Sequence, residues 1–359
     1  MFEMFSEKFM KEAIALALNN APFPNPRVGA VLVLNGSVVG HGWHSHFGGK
    51  HAEVVAIEDA LSKNIDISQC DLYVTLEPCC HSGKQGPCCE RIVKERIKKV
   101  YVGVLDKNEL VSGKGVEYLR LHSMNVSVGF LEEEILAMNK LFYSFLSSTK
   151  PFVILKNGVS LNGKITSSGK YLNCPEALEK VHQLRGWVDG ILVGVGTVIA
   201  DNPQLTCRSE GKDPLRIVLD THLRVSLDAK VFSDKNVVVC CGTDVNAEKL
   251  VLVGKKAEVI QCPLKDDHVD LEFVLVALRK RGVKVLLVEG GKQLNTSFFS
   301  QKLVDKFILI TAPVQLDDSE LDIIDKKVID LDQLKNQFNL IVSEDLNEDI
   351  WCEYLRENL

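Results

Sequence analysis

The stretch Thr75-Leu76-Glu77-Pro78-Cys79-Cys80-His81 follows His51-Ala52-Glu53 and precedes Pro87-Cys88-Cys89. His51 and Cys88 each stand where a predicted helix begins, and Cys79 follows a predicted strand, Asp71 to Leu76. The three side chains can therefore converge at the edge of one sheet. One imidazole and two thiolates suit a catalytic zinc ion, which keeps its fourth position open for water. The sequence predicts one zinc ion per chain, held by His51, Cys79 and Cys88.

Glu53 lies two residues after His51, where its carboxylate can reach a water molecule at such a site. Its predicted role is general acid/base catalysis, in which it takes a proton from water and passes it to a leaving amine. Zinc deaminases show this pattern, His-x-Glu followed by Pro-Cys-x-x-Cys. Here the second half differs, because Cys88 follows Cys79 by nine positions rather than three.

Two other interpretations of the clustered cysteines stay open. Buried free cysteines are usually inert, small apolar residues. A structural zinc site could also use Cys79, Cys80, Cys88 and Cys89 together, although structural sites usually space their cysteine pairs by two to four residues. The joint occurrence of the three motifs in this order favours the catalytic interpretation.

The chain has 359 residues, which suggests two domains at roughly 100 to 200 residues each. Apolar residues make up 46% and charged residues 25%, so a disordered or fibrous protein is excluded. The N-terminus lacks an export signal and no apolar run approaches 18 residues, so we expect a cytoplasmic protein with reduced thiols and no membrane partner.

The net charge of −6 is mild, and the acidity lies in residues 317–359, where 4 Lys and Arg stand against 13 Asp and Glu. No basic cluster of the kind that binds nucleic acid is present, so nucleic acid is not the expected partner.

Around the cysteines, the first segment alternates predicted strands and helices. Asn35-Gly36 between two β-rich runs predicts a hairpin, and Cys88 to Lys98 a helix. This spacing indicates an α/β sandwich around a mainly parallel sheet. A boundary falls near Ser147 to Pro151, where a helical run ends in small polar residues.

The second segment restarts with the predicted strand Phe152 to Lys156 and forms another α/β unit. Gly194 and Gly196 follow a predicted strand, but Ile199 stands at the sixth position of a Gly-x-Gly-x-x-Gly match, so the Rossmann fingerprint fails and a tight turn is favoured. Gly290-Gly291 follows another strand and precedes a helix, where backbone amides can hold an anionic group.

Several further stretches make the chain similar to the family of bifunctional riboflavin biosynthesis deaminase/reductases. The first half resembles the deaminase part through residues 24–30 (Pro-Asn-Pro-Arg-Val-Gly-Ala), Gly42-Trp43-His44 and the wide cysteine gap. The second half resembles the reductase part through Ser160 to Lys164, Gly194 to Arg208, Arg216 to Asp220 and Val288 to Gly291.

The resemblance implies an α/β protein of two domains. Residues 1–147 would form a cytidine-deaminase-like, three-layer α/β/α domain. Residues 151–359 would form an NADPH-dependent domain similar to dihydrofolate reductase. Zinc-dependent deamination of a diaminopyrimidinone ribosylamine phosphate would precede NADPH-dependent reduction of its ribosyl side chain. The partner would be this small phosphorylated pyrimidine, and the chain would be a homo-oligomer, a dimer or tetramer. The alternative is a nucleic-acid or nucleoside deaminase with an inactive, reductase-like accessory domain.

The resemblance also implies roles for individual residues. The pyrimidine pocket of the deaminase would include Asn25, His44 and His81. The reductase substrate would meet Arg185, Leu205, Arg208 and Glu289, with Arg185 and Arg208 as a fork on its phosphate. NADPH would meet Gly158, Tyr171, Thr197, Asp201, Thr221, Gly291, Lys292, Gln293, Leu294, Asn295, Thr296 and Ser297, and Asp201 is the candidate for proton handling. Three features depart from the family pattern: Asn162 replaces Asp, Tyr171 replaces Trp, and the tail after Ala312-Pro313 lacks a Gly-containing segment.

Overall fold

A computed structural model describes residues 2–19, 22–80, 86–107, 112–166, 172–209, 211–329 and 336–357. The chain divides into two compact units, Met1–Ser147 and Ser148–Leu359. Within the described ranges, none of the helices has the length and apolar character needed to cross a membrane.

The first unit contains six α-helices, one short 3-10 helix at Ile67–Gln69 and five strands over the part of it that is described. Their bounds are α1 Phe2–Ala17, β1 Gly29–Leu34, β2 Ser37–Trp43, α2 Ala52–Ser62, β3 Asp71–Leu76, α3 Cys88–Lys94, β4 Lys99–Val104, α4 Lys114–Leu121, β5 Asn125–Val128, α5 Glu132–Met138 and α6 Lys140–Leu146.

The sheet of the first unit has the order β2-β1-β3-β4-β5 and is mixed. The predicted hairpin is confirmed: Asn35 and Gly36 both have positive φ, 51° and 81°, as a two-residue turn of this type requires. β1 is antiparallel to β2 and β3, whereas β3, β4 and β5 are parallel. Four of the five strands, β2, β3, β4 and β5, therefore run in the same direction, which confirms the prediction of a mainly parallel sheet. Only β1 runs the other way, because the tight hairpin reverses the chain without a helical crossover.

Helices cover both faces of this sheet, which gives three layers. One core cluster combines α2, α3 and α4 with the sheet, through residues such as Ile57, Ile92 and Leu119. The opposite cluster contains Met10 of α1 and Ile135 of α5. α3 ends at Lys94 rather than at the predicted Lys98, because the chain turns through Arg96, whose φ is +56°.

The second unit contains five α-helices, one short 3-10 helix at Lys230–Phe232 and thirteen strands among its described residues. Their bounds are β6 Phe152–Val159, β7 Lys164–Ile165, α7 Pro175–Trp187, β8 Gly190–Gly194, α8 Val195–Asp201, β9 Leu215–Leu219, β10 Val237–Cys241, α9 Ala247–Gly254, β11 Glu258–Gln261, β12 Leu264–Lys265, β13 His268–Val269, α10 Leu271–Lys280, β14 Val285–Val288, α11 Lys292–Ser300, β15 Lys306–Thr311, β16 Leu321–Asp322, β17 Phe338–Leu346 and β18 Asp349–Arg356.

Its main sheet has nine strands in the order β11-β10-β9-β8-β14-β6-β15-β18-β17. The seven strands from β11 to β15 are parallel, and β18 and β17 add antiparallel at one edge. The carboxyl ends of β6, β8 and β14 therefore meet at one edge, where open α/β sheets bind ligands. The tight turn predicted at Gly194 to Gly196 is wrong, because helix α8 begins at Val195.

Candidate active sites

The first unit brings the three predicted zinc ligands together. His51 immediately precedes α2, Cys88 is the first residue of α3, and Cys79 lies in the segment after β3. Their ligand atoms all lie within 4.8 Å of one another. His51 Nδ1 is 3.2 Å from Cys88 Sγ and 3.5 Å from Cys79 Sγ. A strand end and two helix starts thus meet at one point, as the sequence predicts.

These separations fit a zinc ion. Tetrahedral bonds of about 2.3 Å to sulfur and about 2.0 Å to nitrogen place nitrogen and sulfur about 3.5 Å apart. The imidazole and thiol donors are those that zinc prefers in proteins. Within the described part of the chain, Cys80 and Cys89 do not join this group. The cluster therefore supplies the three protein ligands of a catalytic zinc site rather than the four cysteines of a structural one.

Glu53 lies in the first turn of α2 and is 4% exposed. Its carboxylate contacts the Cys88 thiol, and burial raises its pKa to about 7. A carboxyl group with such a pKa can exchange a proton near neutral pH, which suits general acid/base chemistry. The structure thus places Glu53 beside the ligand group.

Asn25 and His44 lie next to the same cluster. The Asn25 amide Nδ2 donates to His44 Nε2 at 2.8 Å, and His44 Nδ1 donates to the Lys50 carbonyl at 2.9 Å. The His44 ring meets the His51 ring edge-on, with centroids 5.7 Å apart. Burial lowers the pKa of His44 to about 4, so this imidazole is neutral. His81, the third residue expected in the pocket, lies outside the described residues.

The second unit contains a cavity of about 830 Å³ at the carboxyl ends of β6, β8 and β14. Most residues expected to bind the reductase substrate or NADPH line it. These are Gly158, Arg185, Thr197, Asp201, Glu289, Gly291, Lys292, Gln293, Leu294, Thr296 and Ser297. At Gly194, Gly196 and Gly291 an added Cβ would enter open space. The backbone there is thus free to approach a bound molecule, and Gly291 directly precedes α11, where amides favour phosphate.

Glu289 anchors the charged part of this cavity. Arg185 donates to both carboxylate oxygens, at 3.1 and 2.8 Å, and Lys156 Nζ lies 3.5 Å from Glu289 Oε2. Burial alone would raise the pKa of Glu289, but Arg185 and Lys156 lower it to about 2. Arg185 thus engages a carboxylate in the structure, and its expected role with Arg208 as a fork on the substrate phosphate stays a prediction.

Asn295 has a different place from its neighbours in α11. It is fully buried, and it does not line the cavity. Its Nδ2 donates to Asn157 Oδ1 at 3.1 Å and to the Ile323 carbonyl at 3.0 Å. Asn157 in turn donates to the Gly290 carbonyl at 3.0 Å. Asn295 and Asn157 therefore form a chain of two hydrogen bonds that ends on the Gly290 carbonyl and supports the glycine turn.

Three other expected residues lie outside the cavity lining. Leu205 is buried, Arg208 is exposed, and Thr221 accepts a hydrogen bond from the Val269 amide at 3.4 Å. Tyr171 falls outside the described residues. The roles of these residues stay predictions.

The cavity is also lined by Lys156, Asn157 and His182, which were not predicted from the sequence. The available signal for Lys156 and Asn157 was a pair of polar residues that interrupts the apolar run of β6. His182 precedes Arg185 by three positions on α7, which places both on one helix face. Burial, Arg185 and Arg208 lower the pKa of His182.

Comparison with protein families gives two matches in chain order. Residues 4–104 match the cytidine and deoxycytidylate deaminase zinc-binding region, and residues 151–335 match the RibD C-terminal domain.

Whole-length relatives agree with these matches. The riboflavin biosynthesis protein RibD of Aquifex aeolicus is 38% identical over 323 residues, which cover 87% of this chain and 88% of that protein. RibD of Escherichia coli K12 is 30% identical over 329 residues, covering 86% of this chain and 88% of that protein.

Solved structures match over nearly the full length as well. RibD of Acinetobacter baumannii has a TM-score of 0.61 at 32% identity and covers 99% of this chain and 100% of its own. The diaminohydroxyphosphoribosylaminopyrimidine deaminase/5-amino-6-(5-phosphoribosylamino)uracil reductase of Thermotoga maritima has a TM-score of 0.60 at 33% identity, with the same coverage.

Proposed function

The chain belongs to the RibD family of bifunctional deaminase/reductases of riboflavin biosynthesis, and from this premise we propose its substrates and the roles of its residues. The first unit deaminates a diaminopyrimidinone ribosylamine phosphate, and the second reduces the ribosyl side chain of the product with NADPH. The relative from Thermotoga maritima is a diaminohydroxyphosphoribosylaminopyrimidine deaminase and 5-amino-6-(5-phosphoribosylamino)uracil reductase. The observation that carries the proposal is the His51, Cys79 and Cys88 cluster with Glu53 beside it.

In the deaminase site, the chemistry that zinc supplies is an activated water molecule as nucleophile. Glu53 takes the proton of that water and delivers it to the departing amine, because it is buried beside the ligands and titrates near neutral pH. Asn25 reads the edge of the pyrimidine through its amide group, and His44 fixes the orientation of Asn25. His81 completes the pocket in this proposal.

In the reductase site, the chemistry that NADPH would supply when bound is transfer of a hydride to the opened ribosyl carbon. Gly291 and the first turn of α11 would hold the phosphates of NADPH, and the residues of this turn that line the cavity would hold the rest of the cofactor. Arg185, Lys156 and Glu289 form a charged group that orients the ribosyl phosphate. Asp201 lines the same cavity and is the candidate proton donor.

The state of the cysteines bears on the compartment in which the enzyme works. All eleven cysteines are free. This agrees with a reducing, cytoplasmic compartment, which we propose as the location. The partner is a small phosphorylated pyrimidine, and assembly as a homo-oligomer stays a prediction.

The proposal is tested by supplying the purified protein with the diaminopyrimidinone phosphate and following ammonia release and NADPH oxidation together. We expect ammonia to appear first and NADPH oxidation to follow. Glu53→Gln should abolish ammonia release while zinc stays bound, because the ligands are untouched. Ammonia release from a polynucleotide but not from the free pyrimidine phosphate would instead identify a nucleic-acid deaminase. Absence of NADPH oxidation with the authentic deaminated product would refute the reductase half.

A further inference from the structure

Glu77 is a buried carboxylate between the end of β3 and the start of α4. It is 4% exposed, and four backbone amides donate to it. Oε2 accepts from Asp106 N at 3.1 Å and from Gly113 N at 2.9 Å. Oε1 accepts from Gly115 N at 2.9 Å and from Val116 N at 3.1 Å. One side chain thus satisfies amides from two segments that lie far from it in sequence.

Glu77 acts as the cap that α4 lacks locally. The first amides of a helix have no acceptor within the helix, and Gly113, the residue before α4, has no side chain to supply one. A carboxylate at this position is also favoured by the helix dipole. Removing an acceptor from such buried amides costs about 1–3 kcal/mol for each group left unsatisfied. The start of α4 therefore depends on Glu77.

The same contact fixes the segment that carries the zinc ligand Cys79. Glu77 precedes Cys79 by two residues, and between them the Pro78 carbonyl packs so tightly on Gly115 that a Cβ there would clash with its oxygen. On the other side, the Cys89 thiol donates to the Pro78 carbonyl at 3.3 Å, and the Cys89 amide donates to the Cys79 carbonyl at 3.1 Å. The segment is held between α4 and α3.

We propose that Glu77 is a positioning residue of the zinc site, which sets the place of Cys79 by fixing residues 77–79 against α4. It touches neither the substrate nor the metal, so its effect passes through the backbone. The proposal rests on the proposed function only in requiring that His51, Cys79 and Cys88 bind zinc. It predicts that occupancy of the metal site and order at the start of α4 depend on each other.

The variant test compares Glu77→Gln with the matched control Glu117→Gln, which neutralises an exposed carboxylate in the first turn of the same helix. Glutamine keeps the size of Glu77 but turns one acceptor into a donor. Competition with a chromophoric chelator should show zinc affinity reduced by about tenfold or more in Glu77→Gln. The absorption spectrum of the cobalt-substituted protein should change as well. Glu117→Gln should match the wild type in both measurements.

A second measurement uses the wild-type protein alone, and it decides the matter if Glu77→Gln fails to fold. Hydrogen exchange of the full chain is compared with zinc bound and after its removal. We expect faster exchange without zinc at the amides of Gly113, Gly115 and Val116, and no change in α10 of the second unit.

Two results would overturn the proposal. One is an unchanged zinc affinity and cobalt spectrum in a folded Glu77→Gln protein. The other is a hydrogen-exchange rate at these amides that is the same with and without zinc. A wild-type protein that binds no zinc would instead refute the proposed metal site.

Discussion

Two buried glutamates show how neighbouring charges assign different work to one residue type. Burial raises the pKa of Glu53 to about 7. Burial acts in the same direction on Glu289, but Arg185 and Lys156 outweigh it and lower that pKa to about 2. Glu53 can therefore exchange a proton near neutral pH, whereas Glu289 stays charged and serves to bind and orient.

The pKa of Glu289 predicts a pH-dependent contribution to stability. Its pKa falls from 4.5 to about 2 on folding, so the stabilising effect is complete above about pH 4.5 and is lost as the pH falls toward 2. Glu289→Gln should destabilise the protein at pH 7, and the difference from wild type should be about 1 kcal/mol smaller at pH 4. Urea unfolding followed by tryptophan fluorescence measures both differences.

A suitable control for this prediction is Glu344→Gln, which removes an exposed ion pair with Lys180. Its effect should stay below about 1 kcal/mol at either pH, since exposed pairs contribute little. An equal loss of stability at pH 7 and pH 4 in Glu289→Gln would show that Arg185 and Lys156 do not lower the pKa of Glu289 in the folded protein.

Local sequence patterns predict some helices and strands of this chain but not those that depend on tertiary contacts. The β1–β2 hairpin follows from Asn35-Gly36, because the turn needs only two residues with positive φ. Helix α8 was missed because Gly196 and β-branched neighbours have low helix propensity. Burial of Val195 and Val198 stabilises it instead. The β17–β18 hairpin was not predicted either. Its position depends on the pairing of β18 with β15, which is not a local feature of the sequence.

The two sites differ in the same way. The zinc ligands and Glu53 belong to short motifs at element ends, so sequence alone could assemble them. The support of the reductase cavity is long-range: Asn157 bonds to Gly290 across 133 positions. No local pattern indicates such a contact. Pairing of Lys156 with Glu289 has the same character.

Asn162 is hydrogen-bonded to Leu316, which lies in the segment after Ala312-Pro313. Asn162 Nδ2 donates to the Leu316 carbonyl at 2.8 Å, and Asn162 Oδ1 accepts from the Leu316 amide at 3.2 Å. An aspartate could accept the second bond but could not donate the first when ionised. The asparagine at position 162 thus binds the segment after Ala312-Pro313 through both atoms of its amide group.

The support of the glycine turn by β6 and α11 predicts an effect on cofactor binding. Asn157→Ala removes the donor to the Gly290 carbonyl and the acceptor of Asn295. We expect a loss of about 1–3 kcal/mol in stability and a higher KM for NADPH, because the turn before α11 loses its anchor. Steady-state kinetics and thermal unfolding measure these effects. Asn339→Ala on exposed β17 should change neither. An unaltered KM for NADPH in Asn157→Ala would show that this turn does not contribute to cofactor binding.

At the scale of the whole molecule, each compact unit has its own core and its own site. The zinc ligands lie between residues 51 and 88, and the cavity is lined by residues between 156 and 325. Among the residues that the structure describes, none that lines this cavity belongs to the first unit. The metal requirement should therefore be confined to the first reaction.

Removal of zinc should uncouple the two activities of the full chain. After treatment with a chelator, ammonia release should fall to background, since Glu53 alone cannot activate water without the metal. NADPH oxidation with the deaminated substrate should stay within about twofold of the untreated rate, because no residue lining the reductase cavity belongs to the ligand group. Added zinc should restore ammonia release in the wild type but not in Cys79→Ser, which lacks a ligand. A parallel loss of NADPH oxidation would show that the reductase also depends on the metal.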